Sequence, residues 1–133
     1  MSRQARISPE QWTDPRHIRG LRGERAARAY LESRGWRIEA HRFKLGRHDL
    51  DLVARRGSLV AFVEVKTRAT RSCGAPVEAV GPRKQRILAR VAECWRLRHG
   101  RPEDRYRFDV VAVVEGPIGQ AVEHVADAWR ILR

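Results

Sequence analysis

Residues Asp49 to Arg68 read DLDLVARRGSLVAFVEVKTR, and the fold is decided there. Leu59 to Thr67 is β-branched, aromatic and apolar on both alternating faces, as expected of a central strand covered on both sides. Asp49 to Arg55 forms a second strand, and Arg56-Gly57-Ser58 is short enough for a hairpin connection, so the two pair antiparallel. Side chains alternate across a strand, so Val60, Phe62, Glu64 and Lys66 share one face. Asp49, Asp51 and Val53 share a face of the partner strand, and pairing brings Asp51 beside Glu64. Charges placed in such a pair are costly to bury unless something compensates them.

Two carboxylates converging beside a lysine offer oxygen ligands to a hard divalent cation, Mg²⁺ or Mn²⁺, and leave an ammonium for the substrate. Phosphodiester hydrolysis uses those parts, with a cation set against the charge that develops on the phosphate. The competing arrangement is a solvated one, with Glu64 and Lys66 at the end of an edge strand and Asp51 paired to a surface arginine. The apolar flanks of the strand argue against an edge.

Outward from this stretch, Met1 to Arg19 is polar and basic, contains Pro9 and Pro15, and reads as a flexible arm ahead of one domain over residues 20–133. Ala26, Ala27, Tyr30 and Leu31 predict a helix over Leu21–Arg34, stopped at Gly35. Trp36–Phe43 alternates as a first strand, with Leu45–His48 as the turn after it. Ile87, Leu88, Val91 and Trp95 form one stripe of a helix over Pro82–Arg98, with Pro82 at its start and Gly100 past its end. Tyr106–Glu115 is a strand broken by Gly116-Pro117, Ala121–Val125 a short last strand, and Ala126–Arg133 a final helical turn. The order of elements gives an α/β fold with a mixed central sheet flanked by helices.

A chain of 133 residues with 42% hydrophobic content and four Trp supports one domain with its own core. Lys and Arg number 28 against 16 acids, a formal charge of +12 that calls for a polyanionic partner, nucleic acid above all. Arginine-rich codon usage is the competing origin of that charge. Cys73 and Cys94 have no metal-ligand spacing, and the five His show no HxH or HxxxH pattern. No apolar run approaches a membrane span and no signal-peptide core opens the chain, so the expected location is the cytoplasm, away from the membrane.

Asp51, twelve residues, then Glu64-Val65-Lys66 resembles the D-(x)n-E-x-K core of the restriction-endonuclease-like, or PD-(D/E)xK, superfamily. More narrowly, Gly23-Glu24-Arg25-Ala26-Ala27, Asp51-Leu52-Val53-Ala54, Phe62 to Arg68, Gly74-Ala75-Pro76, Lys84 and Arg107-Phe108-Asp109-Val110-Val111 together resemble the YraN family of small bacterial proteins. The resemblance implies a nuclease-like fold in which Asp51 and Glu64 bind Mg²⁺ or Mn²⁺ and Lys66 assists catalysis, with DNA the favoured substrate. His48-Asp49 stands where the family usually has Gly-Glu, a departure that leaves Asp51 matched.

Glu24 resembles the helical Glu that completes such metal sites, while a first-turn acid complementing the helix dipole is the alternative. Lys84 leans to the core side of its helix and either approaches a phosphate or snorkels to solvent. Arg68 and Arg71 extend from the E-x-K strand into a loop, where they contact phosphate or simply make it basic. Asp109 with Arg107 reads as a structural ion pair, and Trp36 and Trp95 as packing rather than base-stacking platforms. A homodimer fits duplex cleavage, which cuts two strands. The rival function is a non-catalytic DNA- or RNA-binding module that retains the nuclease fold.

Overall fold

The computed structural model describes residues 15–68, 80–117 and 119–130. Its elements are α1 (Pro15–Ser33), β1 (Arg37–Leu45), β2 (His48–Arg56), β3 (Leu59–Arg68), α2 (Pro82–His99), β4 (Arg105–Gly116) and β5 (Gly119–Trp129). The strands form one sheet in chain order, antiparallel except for the parallel pair β3 and β4, which flank α2 in sequence. A parallel pair needs such a crossover. This is the mixed, helix-flanked sheet of a restriction-endonuclease-like α/β fold.

The alternation of β3 divides its residues between two cores. Val60 and Phe62 join Leu88, Val91 and Trp95 of α2, whereas Ala61 and Val63 join Ala27 and Leu31 of α1. Trp36 and Trp95 are buried in these cores, which makes both of them packing residues. At Gly23 helix α1 lies close against β3: a Cβ there would lie 3.0 Å from Thr67 Cβ and would overlap its hydroxyl. Only glycine lets the helix sit so near β3.

Three expectations change. Helix α1 begins at Pro15 instead of Leu21, so residues 15–19 are helical and only residues 1–14 of the expected arm lie outside the described residues. Proline is compatible with a helix start because the first turn's N–H groups have no intrahelical acceptor. In place of a short strand and a helical turn, β5 runs to Trp129, paired with β4 from Gly116↔Gly119 to Phe108↔Trp129. The β4 ladder satisfies backbone groups that a local helical turn would otherwise have satisfied.

The third change concerns the face of β2. Leu50 packs in the same core as Val53, although strict alternation would put it opposite. Its partner on β1 is Phe43, which packs in that core as well, and the adjacent Arg42 has φ 54°. A left-handed residue resets the pleat, so Asp51 lies at a lapse in alternation and not on an unbroken face.

Candidate active site

The ladder between β2 and β3 closes with Leu52↔Val63, while β3 continues beside β4 as far as Arg68↔Val114. One step past Leu52↔Val63 stand Asp51 and Glu64. Here the Asp51 carboxylate takes the place of a ladder carbonyl, with Oδ2 accepting the backbone N–H of Val65 at 2.7 Å. The parting strands and the first turns of α2 open a cleft of about 750 Å³, lined among others by Asp49, Asp51, Glu64, Lys66, Lys84 and Leu88.

Glu64 is only 3% exposed, and its Oε2 meets Lys84 Nζ at 3.2 Å. Its other oxygen, Oε1, is buried with no hydrogen-bond partner among the described residues. Burial, reinforced by the Glu64 charge, pushes the Asp51 carboxyl up to about 7. Burial also raises Glu64, against the pull of Lys84 and Lys66. Lys66 is depressed by burial and by the neighbouring Lys84 ammonium. Burial lowers Lys84 as well, but the Glu64 carboxylate outweighs it, raises Lys84 and holds that ammonium charged.

This donor set fits a magnesium-like ion. Two adjoining carboxylates repel each other, and a buried oxygen lacks a donor; a divalent cation relieves both. Mg²⁺ ordinarily takes only one or two protein carboxylates, with water and phosphate oxygens completing its shell. No group of three or more His, Cys, Asp or Glu side chains among the described residues is arranged to hold a metal without such help.

Residues 23–113 match the model of the uncharacterised protein family UPF0102. The chain belongs to that family. It is 41% identical over 115 residues to a UPF0102 protein of Geobacter sulfurreducens, covering 86% of this chain and 90% of the relative. It is 42% identical over 116 residues to one of Anaeromyxobacter dehalogenans, with 87% of each chain covered. With a UPF0102 protein of Symbiobacterium thermophilum the identity is 45% over 101 residues, 76% of this chain and 86% of the other. The YraN-type blocks recognised in the sequence are those of UPF0102, and the matched span contains Glu24, Asp51, Glu64, Lys66 and Lys84.

Within this UPF0102 chain, Asp51, Glu64, Lys66 and Lys84 line one cleft. Glu24 does not join that lining. Its carboxylate is held by Arg42, with Nε at 3.1 Å and Nη2 at 3.0 Å, and by His41 Nε2 at 2.7 Å. Its negative charge still contributes to the raised Asp51. Arg68 ends β3 just past the cleft, and Arg71 lies outside the described residues. His48 and Asp49, the departure from the family pattern, both line the cleft.

Asp109 is fully buried and structural. It accepts Arg107 Nε at 2.9 Å, Nη2 at 3.1 Å and the Asp127 N–H at 2.9 Å, and pairs with His124 Nε2 at 2.7 Å. Burial opposes its ionisation, but His124, the Asp127 N–H and Arg107 together hold it below the usual carboxylate range. Two contacts were not legible in the sequence: the Lys84 bond to Glu64, and the grip of Arg42 and His41 on Glu24. Helical and strand periods give faces, but not which side chains meet across elements. No helix among the described residues is long and apolar enough to cross a membrane.

Proposed function

We propose that this protein is a divalent-metal-dependent nuclease that hydrolyses phosphodiester bonds of nucleic acid, DNA in the first instance. The observation that carries the reading is the half-buried Asp51 beside the buried Glu64, with an undonated Glu64 oxygen, in a cleft shared with Lys66 and Lys84. Asp51 and Glu64 would hold Mg²⁺ or Mn²⁺. When bound, the cation supplies Lewis-acid polarisation of the scissile phosphate. Lys66, in the free-amine form that burial and the Lys84 charge favour, takes the proton of the attacking water as the new P–O bond forms and the bond to the leaving sugar oxygen breaks. That oxygen then gains a proton from solvent. Lys84 stays charged beside Glu64 and offsets negative charge gathering on the phosphate.

Arg68, Arg71 and the +12 chain supply affinity for the phosphate backbone without reading bases. The test is incubation of metal-stripped protein with plasmid, branched and single-stranded substrates, with and without Mg²⁺ or Mn²⁺. Metal-dependent cleavage is the expected result. Binding without cleavage on every substrate would replace this reading with that of a non-catalytic module.

A further inference from the structure

On the same sheet face as the cleft, α2 packs chiefly on β1 and β2, leaving the β3–β5 side less covered. A second cavity of about 760 Å³ lies there. Its floor is aromatic. Phe62 stacks on Tyr106 with centroids 5.6 Å apart and planes 6° from parallel, and Phe108 stacks on Trp129 at 4.8 Å and 19°. Trp129 is only 8% exposed, yet its Nε1 is buried with no hydrogen-bond partner among the described residues.

The rim is basic. Arg90, Arg96 and Arg130 line the cavity together with Glu93 and Asp127, whereas Arg105 and Arg107 border it from β4 with side chains that leave the opposite sheet face, where Arg107 meets Trp36 and Asp109. Arg96 is paired with Glu93 and Arg130 with Asp127, while Arg90 makes no ion pair among the described residues. Such a site suits a flat, anionic ligand: π surface below, a buried N–H donor, and cations around the opening. A purely apolar occupant would leave the indole N–H unsatisfied and Arg90 unmatched.

We infer that this cavity is a nucleotide-binding site that takes one unpaired nucleotide, its base among the aromatic rings and within reach of the Trp129 N–H, and its phosphate towards Arg90 of α2. The inference rests on the nuclease reading for its biological context, but the site stands apart from the chemistry. Phe62 of its floor and Glu64 of the cleft share one face of β3 two residues apart, about 7 Å along the strand. Leu88 lines the first opening and Ala89 the second, so α2 stands between them. A strand entering the cleft can therefore leave a neighbouring unpaired base in the aromatic site, which would direct the protein to tailed, branched or gapped nucleic acid in preference to perfect duplex.

The test is anisotropy binding, at fixed salt in EDTA, of a labelled duplex and of the same duplex with a single-stranded tail. Chelation keeps the outcome separate from cleavage. The tailed form should bind on the order of 10-fold more tightly. Trp129→Phe, which keeps a ring and removes the donor, and Arg90→Gln should each reduce that advantage while leaving duplex affinity and melting temperature near those of the parent. Deoxyadenosine monophosphate, titrated against the Trp129 indole N–H resonance, distinguishes the sources. A shift at micromolar nucleotide without a tail preference identifies a free nucleotide, and a tail preference identifies the strand. Absence of both would overturn the site, as would parental tail preference in both variants. So would a homodimer in sedimentation that Arg90→Gln dissociates and nucleotide leaves unchanged.

Discussion

The Asp51 carboxylate accepts the backbone N–H of Val65 at 2.7 Å, and so is anchored to the strand that carries Glu64. The bond replaces a rung of the β2–β3 ladder with a side chain, and the strands diverge from that point. One contact thus opens the cleft and seats its two acids together. The cost is visible in Asp51, whose carboxyl rises to about 7 as burial and Glu64 oppose its charge.

Glu64→Ala should lower metal-dependent cleavage by at least on the order of 10²-fold while nucleic-acid binding changes little. The arginine surface supplies the affinity and the carboxylate supplies the metal. Parallel cleavage and binding titrations check this, and equal cleavage by variant and parent would refute the assigned mechanism.

The pH dependence follows from Asp51. Its ordinary value is 3.8, so between that and about 7 the folded chain holds a proton that the unfolded chain has released. This group's stabilising contribution is present at low pH and is lost as pH rises through about 7. Metal-free protein should therefore show a decline in melting temperature across that window that Asp51→Asn lacks. Mn²⁺ binds the carboxylate form, so it should raise the melting temperature more at about pH 8 than at about pH 5.5. A metal-induced shift that is the same at both values would remove Asp51 from the metal site.

Binding should weaken steeply with salt and depend little on sequence. With about five phosphates contacted, the logarithmic slope is roughly −4.5 on duplex DNA. Charge reversal at Arg68 with Arg71 should cost more affinity than reversal at Arg3 with Arg6, because the first pair adjoins the cleft strand. Titrations at several salt concentrations decide it; larger losses from Arg3 and Arg6 would move the contact surface to the N-terminal residues.

At the opposite end of the β2–β3 hairpin, Arg55 is 4% exposed and reaches Asp104 at 2.6 and 2.9 Å and Glu39 at 2.7 Å. The Arg55 hydrogen bonds outweigh burial and hold Asp104 at about 2. Removing one partner leaves the other charge buried, so Arg55→Ala should lose about 3 kcal/mol in urea unfolding. Any cleavage activity per folded molecule should survive. In the parent, the Asp104 contribution is present above about pH 4 and is lost as pH falls towards 2. A variant as stable as the parent would show the pair to be dispensable.

Sequence by itself determined the elements and their faces wherever a period was sustained: the two-sided apolar run of β3, the stripe of α2, and the hairpin through Gly57. It also placed Glu64 and Lys66 on one face, because alternation along a single strand is a local property. The extent of α1 and β5 was decided by tertiary structure, since β4 offers β5 a ladder that no local pattern in residues 119–129 announces. The same holds for the site. Arg42 at positive φ shifts the pleat opposite Asp51, Lys84 comes from a distant helix to Glu64, and Glu24 is claimed by His41 and Arg42. The aromatic cavity likewise gathers Phe62, Phe108 and Trp129 from three strands. These are contacts between segments far apart in the chain, and residue spacing carries no record of them until the sheet has closed.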